Sequence, residues 1–172
     1  MSEPERMDLG KMFSKFSREQ LVIGGASVVL LIAMFLNWIS VSCSGAFCGG
    51  AGGGGASGFH GWGWITFLAL LGVAGLLLVR TVLADMVKLP ELPAPDATLI
   101  MAGGALEILG CLLFWVEYHD GFASTGAGAF SISSGLGFGW FVALIAGIAT
   151  VVGGYMSRSA QPAAPSLSSE LS

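Results

Sequence analysis

The chain has 172 residues, of which 54% are hydrophobic and only 10% are charged, and its mean hydropathy is +0.80. A chain of this length with so little polar surface could not coat a water-soluble globule, so the composition predicts a membrane protein. The 7 basic and 11 acidic residues give a formal net charge of −4. They offer no basic surface of the kind that binds nucleic acid, and we expect no nucleic-acid partner.

The first 20 residues form a polar tail before the first apolar run. Basic and apolar residues recur there at helical spacing on opposite faces, which predicts an amphipathic segment along the inner leaflet; a disordered tail is the alternative. The two sets are Arg6, Lys11, Lys15 and Arg18 on one face, and Leu9, Met12, Phe13 and Phe16 on the other. Ser17 followed by Gln20 predicts a capping box at the start of the first membrane helix.

Four apolar runs are each long enough, at 1.5 Å per residue, to cross a hydrocarbon core of roughly 30 Å. They predict an all-α membrane protein with four transmembrane helices. A cleaved signal peptide is the alternative for the first run, but that run exceeds the roughly 7 to 15 residues of a signal core. The predicted spans are about 21–41, 62–84, 98–116 and 136–156, and 157–172 is predicted to be a disordered tail.

The distribution of basic residues predicts the orientation of the spans. Outside the N-terminal tail, the only Lys and Arg are Arg80, Lys88 and Arg158, whereas the loops 42–61 and 119–135 have none. The positive-inside rule therefore predicts a protein of the plasma (inner) membrane with both termini in the cytoplasm and both Gly/Ser-rich loops outside. The glycine run at 49–55 is predicted to be a flexible linker, because no Gly-Lys-Ser/Thr follows to make a phosphate loop.

Cys43 and Cys48 both fall in the first outer loop, on the oxidising side of the membrane. We expect a local disulfide between them, whereas Cys111 in the third span should be a reduced, small hydrophobic residue. A metal site that adds His60 and His119 to the two outer cysteines is the alternative, but it lacks any recognised ligand spacing. The sequence therefore predicts no metal and no cofactor.

Glu107 lies near the middle of the third span, where a lone carboxylate costs roughly 3 kcal/mol on insertion scales. It should therefore turn inward, either as a structural hydrogen-bonding group or as a carrier of protons or cations. The inward helix face is predicted to hold Gly103, Glu107, Gly110, Cys111 and Phe114. The structural hypothesis offers three partners: Ser27, Thr150 and Arg80. Few other polar groups lie at this depth, which favours the structural role.

Two glycine motifs recur in the halves of the chain. Gly24-Gly25-Ala26 matches Gly103-Gly104-Ala105, and Gly61-Trp62-Gly63-Trp64 matches Gly137-Phe138-Gly139-Trp140. Phe35 and Phe114 also lie at the same offset from their glycines. The matches predict two helical hairpins of the same orientation, arranged as a parallel repeat.

The tryptophans fall at the predicted outer boundary of the spans, where indole rings prefer the headgroup level. They predict an anchoring belt; a binding box for a lipid-like partner is the alternative. The five residues are Trp38, Trp62, Trp64, Trp115 and Trp140.

The order of these motifs resembles that of small uncharacterised four-helix membrane proteins common in actinobacteria. The resemblance covers residues 17–158 and is carried by Ser17-Arg18-Glu19-Gln20, Gly24-Gly25-Ala26, Phe35-Leu36-Asn37-Trp38, Gly61-Trp62-Gly63-Trp64 and Gly153-Gly154-Tyr155-Met156-Ser157-Arg158. It implies a four-helix fold and no known activity.

No serine elbow, zinc-protease helix or nucleotide loop occurs in the sequence, so we expect no enzyme. The polar residues Glu117, His119 and Asp120 are expected to form a solvated helix end. The predicted function is that of a non-enzymatic multi-pass protein that organises the envelope or assembles, within the lipid bilayer, with another membrane protein or with itself. A small proton- or cation-coupled carrier that uses Glu107 is the alternative.

Overall fold

Four long helices dominate the computed structural model of the protein. Each is long and apolar enough to cross a membrane, which confirms the prediction of four candidate spans. The helices are α1 (Arg18–Phe35), α2 (Gly63–Thr81), α3 (Asp96–Tyr118) and α4 (Phe138–Ala160). The structure describes residues 17–45, 54–81, 94–122, 124–127 and 130–160. The predicted amphipathic segment before Ser17, the loop around Lys88 and the end of the C-terminal tail lie outside these residues.

The start of α1 follows the prediction from sequence. The Ser17 hydroxyl accepts from the Gln20 backbone N–H at 3.3 Å, and the Gln20 side chain accepts from the Ser17 N–H at 3.0 Å. This is a complete capping box. It satisfies two backbone donors that would otherwise be unpaired at the helix start.

Two helix ends differ from the predicted spans. The first helix ends at Phe35 rather than near residue 41, because the chain turns to an extended conformation at Leu36. The last helix continues to Ala160, beyond the predicted end at 156, so the predicted disordered tail at 157–172 is wrong over its first four residues. The hydroxyl of Ser157 donates to the Gly153 carbonyl inside this extra turn.

Outside the bundle, the two Gly/Ser-rich loops meet in one antiparallel sheet, so the all-α prediction is wrong in this part of the chain. The strands are β1 (Asn37–Gly45), β2 (Gly55–Ser57), β3 (Ser124–Ala127) and β4 (Phe130–Leu136), in the order β2-β1-β4-β3. The alternation of apolar and polar residues along Ile39-Ser40-Val41-Ser42 is the period-2 pattern of a strand. The pattern lies within the run that predicted a longer first helix.

The central pair of the sheet, β1 with β4, joins the two Gly/Ser-rich loops. Its register runs from Ile39 opposite Leu136 to Gly45 opposite Phe130. Gly55, at the end of the predicted flexible linker, instead pairs with Ser40 in the sheet. A Cβ at Gly55 would lie 2.5 Å from the Ile39 carbonyl oxygen, so the close approach of β2 requires glycine. Residues 49–53 of that linker lie outside the described part of the chain.

The core lies between α1, α3 and α4, and α2 packs mainly against α3. Glycines bring these helices together: a Cβ at Gly104 would lie 2.8 Å from Val151, and one at Gly154 would lie 2.8 Å from Met101. The buried cluster nearest the sheet consists of Leu30, Ala33, Met34, Trp38, Leu70, Cys111, Phe114, Trp140, Ala143 and Ala146. A smaller cluster of Ile23, Val73 and Ile100 lies towards the other end.

The parallel repeat is not confirmed. Phe35 is 69% exposed, whereas its counterpart Phe114 is completely buried. Likewise Trp64 is exposed and its counterpart Trp140 is buried. The sheet also pairs the first strand of one loop with the last strand of the other, rather than equivalent strands.

Candidate functional site

The five tryptophans divide into two groups. Trp38 and Trp140 are buried, and their indole N–H groups donate to the carbonyl oxygens of Ala33 at 2.9 Å and Cys111 at 2.8 Å. They belong to the core, so the predicted anchoring role is wrong for these two. A buried indole needs a partner for its N–H, and the backbone supplies it in both cases. The other three tryptophans, Trp62, Trp64 and Trp115, are exposed, and their anchoring role stays a prediction.

The predicted inward face of α3 is largely present. Glu107, Gly110, Cys111 and Phe114 are buried, while Gly103 is half-buried against Val73. Glu107 has no exposed surface and faces α4. A Cβ added to Gly147 of α4 would lie 3.3 Å from the Cβ of Glu107.

The three predicted partners of Glu107 each form a hydrogen bond or ion pair with another residue. Ser27 donates to the Ile23 carbonyl of its own helix at 2.9 Å, and Arg80 pairs with Asp96 at 2.8 Å, so neither bonds to Glu107. Thr150 lies beside the carboxyl group, but its hydroxyl donates to the Ala146 carbonyl at 3.1 Å. Neither carboxyl oxygen of Glu107 has a hydrogen-bond partner within the described residues.

The backbone of Glu107 and the thiol of Cys111 both contact α2. The Thr66 hydroxyl donates to the Glu107 backbone carbonyl at 3.2 Å and lies 3.9 Å from the Cys111 sulfur. Cys111 is free and buried. Gly110 makes this contact possible, since a Cβ there would lie 2.7 Å from the Thr66 backbone nitrogen. The Thr66 bond therefore anchors α2 to α3 without involving the carboxyl group.

A cavity of about 340 Å³ opens at the end of the bundle opposite the sheet and is bordered by all four helices. Its polar lining residues are Ser17, Glu19, Gln20, Arg80, Asp96 and Ser157. Its apolar lining residues are Ile23, Leu76, Leu77, Ala97 and Ile100. We call this the end cavity.

Arg80 and Asp96 form the ion pair of the end cavity, and each side chain is about one-third exposed. The Arg80 Nε is buried and has no hydrogen-bond partner among the described residues. Asp96 lies in the first turn of α3, after Pro95, which occupies the N-cap position and makes no side-chain cap bond. The two residues are 16 apart with a proline-containing loop between them, so helix periodicity could not reveal the pair.

Two apolar grooves run along α2. The larger, about 550 Å³, lies between α2 and α3 and includes Leu76 of the end cavity. The smaller, about 270 Å³, lies between α1 and α2 and includes Gln20 and Leu77 of that cavity. We call them the α2/α3 groove and the α1/α2 groove.

The sheet end of the bundle holds a second polar cluster. Glu117 accepts from the Trp62 backbone N–H at 3.1 Å, next to Gly61, whose φ of +49° lies in the left-handed region. The carboxylate thus satisfies a donor at the start of α2. His119 lies 3.0 Å from the carboxylate of Asp120, at the exposed end of α3. No group of three or more metal-ligating side chains occurs within the part of the chain that the structure describes.

The cysteines of the predicted disulfide are not both described. Cys43 lies on β1, and Cys48 falls outside the described residues. The bridge therefore stays a prediction.

A scan against protein-family models and a search of curated proteins found no match to this chain. Function is therefore argued from the geometry of its cavities, grooves and buried polar groups.

Proposed function

We propose that this protein is a non-enzymatic, four-span protein of the plasma (inner) membrane that assembles with another membrane protein through the α1/α2 groove. In this role it contributes to the organisation of the cell envelope. Both termini lie in the cytoplasm, the sheet lies outside, and Cys43 is bridged to Cys48. The basic residues Arg18, Arg80 and Arg158 all belong to helix ends opposite the sheet, which supports this orientation.

The observation that carries the proposal is the contrast between two sets of glycines. Glycine in a helix is less stable than alanine by roughly 0.5 to 1 kcal/mol, so a helical glycine calls for a packing reason. The described glycines of α3 and α4 show that reason. A Cβ at any of them would lie within 4 Å of a neighbouring helix or, at Gly139, of the segment that leads from α1 into β1. In α1 and α2, a Cβ would meet no atom within 4 Å at Gly24, Gly25, Gly72 or Gly75.

Gly24 lies in the α1/α2 groove together with Ser27, Val28, Ala74 and Leu78. Small residues let a transmembrane helix approach closely enough for backbone and side-chain contacts to accumulate. The two helices that flank the groove pack less closely against each other than the other neighbouring helix pairs do. The groove therefore offers a partner helix a site in which Gly24 gains a packing role.

A Gly24→Leu variant tests the proposal. Because a Cβ at Gly24 meets nothing within the protein, leucine should leave the fold intact while it fills the groove. We expect the native partner to be lost from material purified in mild detergent. Ala105→Leu, on an exposed position of α3, is the matched control and should retain the partner.

A photo-reactive residue at Val28 locates the contact. We expect an adduct with a membrane-spanning segment of the same protein that Gly24→Leu loses. Retention of that protein by Gly24→Leu, with the fold unchanged, would contradict the proposal. An adduct of twice the chain mass would show that the groove binds a second copy of this chain rather than a different protein.

One observation favours the alternative of a proton- or cation-coupled carrier. The Glu107 carboxyl is completely buried and has no hydrogen-bond partner among the described residues, and intramembrane acids of this kind mark ion paths. Against it, Glu107 lines neither the end cavity nor either groove. A pH-gradient-driven flux in proteoliposomes that Glu107→Gln abolishes would establish the carrier.

A further inference from the structure

We propose that the end cavity and the α2/α3 groove together bind one phospholipid, with a phosphoethanolamine headgroup in the cavity and an acyl chain in the groove. The proposal does not rest on the partner protein, because the acyl chain occupies a different groove; the two sites share only Gln20 and Leu77 of the end cavity among their described lining residues. It rests on the position, the charges and the dimensions of the two spaces.

The end cavity lies at headgroup depth. It is formed at the last turn of α2, where Arg80 lies, and at the first turn of α3, where Asp96 lies. Polar residues form one part of its lining, and apolar residues such as Ile23 and Ile100 form the other. A lipid at this depth has the same division between its polar headgroup and its apolar tail.

The charges of the cavity fit a zwitterion. Arg80 uses one guanidinium N–H on Asp96, and its other donors include Nε, which has no partner among the described residues. A phosphate oxygen is the acceptor that a guanidinium binds best. Asp96 and Glu19 provide two carboxylates for an ammonium group, so the described lining of the cavity carries one more negative than positive charge.

This charge balance distinguishes among headgroups. A headgroup with only a phosphate would leave the second carboxylate unpaired and would be repelled by it. A quaternary ammonium has no N–H to donate and is recognised by aromatic rings, but none of the described residues that line the cavity is aromatic. A primary ammonium donates three hydrogen bonds and suits the carboxylates.

The α2/α3 groove fits an acyl chain. It meets the end cavity at Leu76 and runs along α2 to Ile65. These positions are 11 apart in sequence, which corresponds to a helical rise of roughly 16 Å, about half of a hydrocarbon core of roughly 30 Å. All residues that line the groove are apolar, and its volume is about 550 Å³. The groove therefore has the length and chemistry of one leaflet's acyl layer.

Competition in nanodiscs tests the headgroup specificity. The full chain is reconstituted with equal amounts of phosphatidylethanolamine, phosphatidylglycerol and phosphatidylcholine, and lipids that stay bound after transfer to mild detergent are counted by native mass spectrometry. We expect phosphatidylethanolamine to be retained roughly tenfold over the other two, the factor that one charge-assisted hydrogen bond provides. Equal retention of all three lipids would overturn the proposal.

Variants locate the site. Arg80→Gln should lower phosphatidylethanolamine retention by roughly tenfold, whereas Arg158→Gln, an exposed arginine of α4 that does not line the cavity, should leave it unchanged. Equal retention by these two folded variants would refute the assignment.

Two further variants keep the test decisive if Arg80→Gln does not fold. Glu19→Gln leaves the Arg80–Asp96 pair intact and should reduce the preference for phosphatidylethanolamine over phosphatidylglycerol. Gly72→Leu fills the groove where a Cβ meets no atom, so it should lower the retention of bound lipid whatever the headgroup. An unchanged lipid profile in both variants would contradict the proposal.

Discussion

Replacing Glu107 by methionine should stabilise the protein. Methionine is unbranched like glutamate and adapts to irregular spaces, so it should fill the same site between α3 and α4. The change removes two carboxyl oxygens that have no hydrogen-bond partner among the described residues. The change does not leave the Thr150 hydroxyl without an acceptor, because that hydroxyl already donates to the Ala146 carbonyl.

The magnitude follows from two opposing terms. A buried polar group without a hydrogen bond costs about 1 to 3 kcal/mol. The most that the substitution loses is one interhelical interaction with Thr150, and such interactions average about 0.6 kcal/mol in membrane proteins. The unfolding free energy of Glu107→Met should therefore rise by about 1 to 2 kcal/mol. Glu107→Gln keeps a polar group in the same place and should change it little.

The assay is reversible unfolding in mixed micelles of a mild detergent and dodecyl sulfate, followed by tryptophan fluorescence. Trp38 and Trp140 are buried in the core, so their emission reports loss of packing. Leu106→Met, at an exposed neighbouring position of α3, is the matched control and should not change the unfolding free energy.

A destabilisation of about 1 kcal/mol or more in Glu107→Met, with Leu106→Met unchanged, would refute this reasoning. It would mean that the carboxyl group has a native partner. A double-mutant cycle with Thr150→Val would then show whether Thr150 is that partner.

Two other predictions follow from packing and orientation. Gly110→Ala should destabilise the protein by about 1 to 3 kcal/mol, because the new Cβ would collide with the Thr66 hydroxyl. The control Gly72→Ala places a Cβ that meets no atom and should not destabilise the protein. Equal effects of the two variants in the same unfolding assay would contradict the contact between α2 and α3. In a variant whose native cysteines are serines, cysteine at Ser133 should react with an impermeant thiol reagent in intact cells, and cysteine at Ser159 should not; the reverse labelling would overturn the proposed orientation.

Local signals in the sequence were sufficient to predict the four helices and the inward face of α3. Hydrophobic length alone predicts four spans, and the Ser17–Gln20 pair predicts the start of α1 because a capping box depends on residues three apart. The inward position of Glu107 follows from the cost of exposing a carboxyl group to lipid. Each of these features depends on residues of a single helix, so it can be predicted without knowing how the helices pack.

Features that depend on distant partners could not be predicted. Ile39 to Val41 are apolar enough to continue a span, although they also alternate as in a strand. The pairing with residues near Leu136, almost 100 positions later, decides in favour of the strand. Trp38 is buried because the chain turns back after Phe35 and directs its indole to the Ala33 carbonyl. Composition places a tryptophan near the membrane boundary, but it does not say which side of the helix bundle the ring faces.

The sheet explains why the cavities border α2. The β1–β4 pair joins the end of α1 to the start of α4, and the Gly137 N–H donates to the Trp38 carbonyl at 2.8 Å, so these two helices are connected through the sheet. α2 follows the short edge strand β2, which pairs with β1, and the Trp62 N–H at its start donates to Glu117. Residues of α2 line the end cavity and both grooves. The grooves therefore border the helix that follows the shortest edge strand, and it is along this helix that the proposed partner helix and lipid have room to bind.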